Sequence, residues 1–197
     1  MTMENKRTSL YIVLRFLFRL LFKVVYPIKL EGKQNLPHNG PAIICSNHIS
    51  LLDPILLGCI SEPHVTFMAK EELFNIPVIG RIIYLLGALP VKRGQVDRNA
   101  IKLSLKQLSK NCVFGIFPEG TRHSEDKKPL KGVGFLAARS KAHVVPVTII
   151  GPYRLFRKTR VVVHQPVNYD ELDFAKSEDP LLGFSQYIMD TINSELN

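Results

Sequence analysis

Ala42-Ile43-Ile44-Cys45-Ser46-Asn47-His48-Ile49-Ser50-Leu51-Leu52-Asp53-Pro54 joins two local patterns. Residues 42–45 are a short apolar run of strand type. Asp53-Pro54 followed by Ile55-Leu56-Leu57 predicts a helix start, because Asp is a good N-cap and Pro fits the first helical position. The stretch is therefore a strand-to-helix junction, and it carries His48 and Asp53. A histidine beside a carboxylate can take a proton near neutral pH while the carboxylate fixes its tautomer. Residues five apart on a regular helix point about 140° apart, so the two can meet only if His48 sits on the loop before the helix. A second frame places Ser50 as N-cap and Asp53 at the third helical position, a capping box in which the carboxylate serves the helix and not the histidine.

Working outward, strand patterns rich in Val, Ile and Phe fall at 28–32, 42–46, 65–69, 86–91, 112–117, 143–150 and 160–165. Helix patterns fall at 54–60, 71–85 (broken near Pro77), 98–110, 132–141 and 180–196. In 98–110, Ile101, Leu103, Leu105 and Leu108 mix with Lys102, Lys106 and Lys110, and Asp97 is placed to cap the start. This alternation predicts one α/β domain over residues 28–197, with a mixed, largely parallel sheet flanked by helices. No internal repeat, low-complexity linker or domain boundary interrupts it.

A chain of 197 residues, 46% hydrophobic and 22% charged, suits one domain with a full core. Its net charge of +9 is uneven: residues 168–197 hold seven acids and one base, which leaves 25 bases and 10 acids in residues 1–167. A basic body suggests an anionic partner, whether nucleic acid, phospholipid surface or phosphorylated substrate. No recognition-helix or zinc-finger pattern accompanies the charge, so nucleic acid is not expected. Cys45, Cys59 and Cys112 are odd in number, far apart and in apolar runs. They read as buried thiols in a reducing compartment. Cys45-x-x-His48 lacks a second ligand pair, so no metal is expected.

Residues 1–27 form a distinct segment. Between Leu10 and Tyr26 the only charges are Arg15, Arg19 and Lys23, at four-residue spacing on a background of large apolar side chains. Ser9 is placed to cap such a helix and Pro27 to stop it. Charges near the centre of a spanning helix cost a few kcal/mol each, and the segment lacks a small-residue cleavage site. An interfacial helix fits, with its basic stripe toward lipid headgroups and Phe and Leu in the acyl boundary. The cytoplasmic leaflet is the expected face, because basic segments prefer it. A helix packed on its own domain or on another subunit is the competing reading.

Reactive groups in α/β folds gather where strands end. Besides the His48 loop, two strand ends carry unusual chemistry. Gly87-Ala88-Leu89-Pro90-Val91-Lys92-Arg93-Gly94 ends in adjacent bases. Phe117-Pro118-Glu119-Gly120-Thr121-Arg122 runs into a polar loop that reaches Lys131. Lys92, Arg93 and Arg122 could converge on one phosphate, Arg as a planar fork and Lys as a mobile point charge. Alternatively they are solvated loop bases, with Glu119 pairing Arg122 to order the loop.

Together these motifs resemble the glycerolipid acyltransferase family typified by bacterial 1-acylglycerol-3-phosphate acyltransferases. Asn47-His48-x4-Asp53-Pro54 matches its catalytic block, Gly87 to Gly94 its second, Phe117 to Arg122 its third and Val145-Pro146-Val147 its fourth, covering residues 28–165. Many relatives carry an aromatic or acidic residue before the arginine of the second block, where this chain has Pro90-Val91-Lys92-Arg93. The resemblance implies acyl transfer from an acyl carrier protein or coenzyme A thioester to the sn-2 hydroxyl of lysophosphatidate, giving phosphatidate, with no cofactor beyond that co-substrate and no metal. His48 would be the general base and Asp53 its orienter. Lys92, Arg93 and Arg122 would bind the acceptor phosphate, Glu119, Gly120 and Thr121 would shape the glycerol site, and Lys131 would assist. Acceptor and product are membrane lipids, which gives the N-terminal helix a purpose: a peripheral or monotopic enzyme on the cytoplasmic face. The same chemistry on glycerol 3-phosphate, another lysophospholipid or an aminolipid remains open, as does a non-catalytic membrane-binding role.

Overall fold

Residue pattern and observed element agree closely along the chain. A computed structural model describes residues 3–92, 97–118, 131–172 and 178–196, with side chains from residue 11 onward. The helices are α1 (Met3–Val24), α2 (Asp53–Ile60), α3 (Glu71–Phe74), α4 (Ile79–Leu85), α5 (Arg98–Leu108), α6 (Gly132–Ser140) and α7 (Pro180–Asn193). The strands are β1 (Ile28–Glu31), β2 (Ala42–Ser46), β3 (Val65–Lys70), β4 (Leu89–Val91), β5 (Val113–Ile116), β6 (His143–Ile150) and β7 (Thr159–Val163). The fourth strand is shorter than the 86–91 pattern because Leu86 still closes α4 and Gly87 turns the chain at φ 78°. Asp97 caps α5 as expected, accepting from the Asn99 and Ala100 N–H groups. Asp179 does the same for α7 through Leu182 N–H, and that helix stops at Asn193, short of residue 196.

The seven strands form one sheet in the order β1-β7-β6-β2-β5-β3-β4. Only β6 and β7 pair antiparallel; the other neighbours are parallel. Strands β6, β2, β5, β3 and β4 therefore run one way, and β1 and β7 the other. The carboxyl ends of those five strands lie along a single edge of the sheet. This is the mixed, largely parallel sheet the alternation implied.

Both faces are covered, as a parallel sheet requires. Ala42 and Ile44 of β2 pack with Leu56, Leu57 and Phe22 on the α1–α2 side. Ile43 and Cys45 pack with Leu108, Leu136 and Ile188 on the α5–α6–α7 side. The strand's unbroken apolar run is thus a two-faced burial, worth roughly 1.5–3 kcal/mol for each fully buried aliphatic side chain.

Helix α1 packs on this domain, and it corrects two expectations. It starts at Met3, so Ser9 lies inside the helix and not at its cap. Two of the three bases of its stripe turn toward α2: Arg15 Nη1 donates to the Glu62 carbonyl (2.7 Å) and Arg19 Nε to the Cys59 carbonyl (2.8 Å). These are carbonyls at the C-terminal end of α2, where a helix presents unpaired acceptors and partial negative charge. Phe18 and Phe22 enter the core beside them. Ile12, Val13, Phe16, Leu17, Leu20 and Val24 face outward, each more than half exposed. Among the described residues no helix is long and apolar enough to cross a membrane.

The three cysteines are free thiols. Cys45 and Cys59 are buried as expected, but Cys112, at the start of β5, is only half-buried. It precedes the sheet ladder, so one side faces solvent. Burial raises the Cys59 thiol to about 11.

Candidate active site

Strand β2 ends at Ser46, and the buried Asn47 carries its pairing one step further. The Asn47 amide donates to the Ile149 carbonyl (2.9 Å), and its Oδ1 accepts from Ile149 N–H (2.8 Å). A side chain thus replaces main chain against β6, and the backbone is released into the loop that carries His48.

Asp53 decides the shape of that loop. Its Oδ2 accepts from His48 Nδ1 (2.8 Å), Ile49 N–H (2.7 Å) and Ser50 N–H (2.7 Å). Its Oδ1 accepts from the Tyr153 hydroxyl (2.8 Å). The carboxylate is fully buried, so those four donors replace its hydration. The helix frame differs from both sequence-based versions. Leu52 is the N-cap and has no side-chain cap bond, Asp53 is the first helical residue, and Ser50 Oγ accepts from Leu52 N–H (3.2 Å). Asp53 nonetheless reaches back to Ser50 N–H, which is half of a capping box. One carboxylate therefore serves both histidine and backbone.

The His48 ring lies flat on Phe117, with centroids 4.1 Å apart and planes 19° apart. Phe117 in turn stacks near Phe67, 5.9 Å away and tilted by 15°. Space for Phe67 comes from Gly115 on β5, where a Cβ would stand 2.0 Å from the Phe67 ring. Among the described residues His48 Nε2 makes no hydrogen bond, and the imidazole side chain is 10% exposed. The arrangement leaves one imidazole nitrogen tied to a carboxylate and the other available to a small polar group. Burial, and then the Asp53 charge, push the Tyr153 phenol well above its ordinary range, so it acts as a neutral donor.

Topology brings the predicted loops to the same edge. The His48 loop follows β2, Phe117 follows β5, Lys92 follows β4 and Tyr153 follows β6. Lys92 is exposed; its N–H donates to Asp97 (2.9 Å) and its amine stands 3.9 Å from Glu71. The Lys131 amine is paired with Asp179 at the start of α7. Arg93, Glu119, Gly120, Thr121 and Arg122 lie outside the described residues. Among the described residues no group of three or more His, Cys, Asp and Glu side chains could hold a metal.

Tyr153 and the Phe117–Phe67 support are the parts that pattern reading missed. The signal for Tyr153 was the strand-end rule applied to β6, one of the two carboxyl ends of the edge, with β3, whose following residues drew no attention. Nothing in the spacing marked Gly115, since its role is to leave room for a ring from another strand.

Comparison with known proteins gives this geometry a family. The model of the family described as Acyltransferase matches residues 27–150. The chain is 32% identical over 165 residues to a 1-acyl-sn-glycerol-3-phosphate acyltransferase of Bacillus subtilis, covering 81% of this chain and 83% of the relative. It is also 32% identical to a chloroplastic 1-acyl-sn-glycerol-3-phosphate acyltransferase, LPAT1, of Arabidopsis thaliana, over 78% of this chain and 47% of that longer protein. The crystal structure of the 1-acyl-sn-glycerophosphate acyltransferase PlsC from Thermotoga maritima superposes with a TM-score of 0.70 at 27% identity, covering 96% of this chain and 77% of that one. The chain belongs to the acyltransferase family of these lysophosphatidate acyltransferases, which transfer acyl groups onto glycerolipid acceptors.

Proposed function

We propose that the protein transfers an acyl chain from an acyl carrier protein or coenzyme A thioester to the sn-2 hydroxyl of 1-acylglycerol 3-phosphate, giving phosphatidate. The observation that carries this reading is the 2.8 Å bond from His48 Nδ1 to a buried Asp53 carboxylate, with Nε2 turned away from it. His48 Nε2 accepts the proton of the acceptor hydroxyl as its oxygen attacks the thioester carbonyl. The C–O bond forms, the tetrahedral adduct collapses with cleavage of the C–S bond, and the imidazolium returns its proton to the departing thiolate. Asp53 holds the imidazole in the tautomer that leaves Nε2 unprotonated and stabilises the imidazolium. No protein nucleophile is needed. Cys45, the nearest thiol in sequence, is fully buried and held protonated by that burial.

Lys92, Arg93 and Arg122 bind the acceptor phosphate in this reading, Glu119, Gly120 and Thr121 shape its glycerol site, and Lys131 assists once it leaves its ion pair with Asp179. Support comes from Lys92, which leaves β4 at the same sheet edge as His48. The outward face of α1, with Phe16 at 68% exposure, rests on the cytoplasmic leaflet so that lipid acceptors reach the site. Purified protein in vesicles, with a labelled acyl thioester and a panel of lysophosphatidate, glycerol 3-phosphate and neutral lysophospholipids, tests the assignment. Phosphatidate should be the dominant product. Preference for an acceptor without phosphate would overturn it.

A further inference from the structure

Asp53 has two carboxylate oxygens, and the His48 loop occupies only one. The other is held by Tyr153, which arrives from beyond β6, 100 residues away in sequence. The Tyr153 ring is itself wedged. Phe22, in the last turn of α1, lies 6.4 Å from it, and Tyr26, just past the helix, meets it edge-on at 6.3 Å. Rotation about the Cβ–Cγ bond would carry Oδ2 off its three donors and Oδ1 off Tyr153 together, so the Tyr153 bond adds to what resists that rotation. With both oxygens bonded, its plane is held most tightly, and the direction of the imidazole with it. We infer that Tyr153 is a positioning residue for the proposed reaction, holding the Asp53 carboxylate, and through it His48, from a seat formed by the end of the surface helix. The inference rests on the acyltransferase reading and deepens it.

Tyr153→Phe keeps the ring and removes only the hydroxyl. With a long-chain acyl thioester and lysophosphatidate in vesicles, kcat should fall about tenfold while KM stays within about twofold of wild type, the pattern of an interaction made in the transition state. In 15N-histidine spectra of the full chain, the His48 Nδ1 proton should exchange with water faster than in wild type. Wild-type kcat together with wild-type proton exchange in Tyr153→Phe would overturn the inference. A wild-type protein that transfers no acyl group would sink the acyltransferase reading instead, and the ring-proton measurement still decides whether Tyr153 orients the pair.

Two strained positions support a second, separate inference. Val78 and Phe156 adopt φ 68° and 59°, conformations rare for side chains of this kind. They are also 71% and 72% exposed. Strain that presents an apolar side chain to solvent has no folding benefit. The two flank α1. Phe156 N–H donates to the Val25 carbonyl (2.7 Å) just past its C-terminal end. Nearer its other end the Tyr11 ring meets that of His64 at 4.1 Å and 53°, and His64 Nε2 donates to the Leu86 carbonyl at the close of α4, the helix that Val78 caps. Arg81, Arg154, Arg157 and Lys158 accompany them, and neither 75–86 nor 151–158 contains an acid. We infer that these two tips, one just past the C-terminal end of α1 and one at the start of the α4 helix that contacts it, are contacts with an anionic phospholipid bilayer.

Glycine at either position relieves the positive φ, so Val78→Gly and Phe156→Gly should melt no lower than wild type. Their co-sedimentation with phosphatidylglycerol-containing vesicles should nevertheless fall about threefold or more. Bound fractions equal to wild type in both variants would overturn the inference, as would a wild-type protein that binds phosphatidylcholine vesicles equally well.

Discussion

The two ends of α2 are built by opposite means. At its N-terminus a buried carboxylate gathers four donors, three of them from His48, Ile49 and Ser50 just upstream. At its C-terminus two arginines from α1, more than 35 residues away, reach carbonyls on a partly exposed surface. Both ends obey the helix dipole, acid at the start and base at the finish. The first end is buried and fixed mostly by the local chain, with Tyr153 as its one distant donor, so it can hold a reacting group in one geometry. The second is solvated and assembled from a distance, which suits attaching a helix. The contrast assigns chemistry to one end and docking to the other.

The largest expected effect breaks the first end. Asp53→Asn should lower kcat by about 10²–10⁴-fold with a small change in KM, because the amide cannot stabilise an imidazolium as a carboxylate does. Steady-state kinetics check it, and a loss confined to KM would move Asp53 to acceptor binding. Gly115→Ala comes next. The added methyl collides with Phe67, which supports Phe117 under His48, so kcat should drop together with Tm. An overpacked core site of this kind costs roughly 1–3 kcal/mol. Arg19→Ala sharpens the second end. It removes one bond to the Cys59 carbonyl and should lower stability by about 1 kcal/mol in denaturant titration, at the low end of the cost at the buried site. An Arg19→Ala effect on stability as large as that of Gly115→Ala would erase the distinction between the ends.

The smallest effect lies on the sheet edge away from the site. Glu31 is held down to about 2 by hydrogen bonds from Arg160, then Lys29. Its folded value is below the ordinary 4.5, so its contribution to stability is complete above that value and disappears as pH falls toward 2. The Tm difference between wild type and Glu31→Gln should be constant above pH 4.5 and shrink below it. A difference that grows on acidification would contradict the pairing.

Much of this was legible in the sequence where the determinant is local. The Asp97 cap, the break in the helix near Pro77, and the unbroken apolar run of β2 each follow from neighbouring residues. The pairing of β7 antiparallel to β6, with β1 outside it, was not, because that order depends on contacts between distant segments. Periodicity gave α1 its basic stripe but could not say which side faces the protein. Arg15 and Arg19 turned inward because α2 offers unpaired carbonyls there. In the candidate site, the four residues of loop and turn between His48 and Asp53 let the two meet, though the same spacing also fitted a capping box. Tyr153 depends on a strand crossing that places residue 153 over residue 53, and no spacing encodes it.

The central claim is that His48 takes the proton of a lipid hydroxyl. It is tested most directly by comparing wild type with His48→Ala in vesicles that contain labelled acyl thioester and lysophosphatidate, with circular dichroism as the check on folding. The account predicts phosphatidate from wild type and, in the folded variant, a loss of about 10²–10⁴-fold in turnover. Turnover near wild type in a folded His48→Ala protein would contradict it.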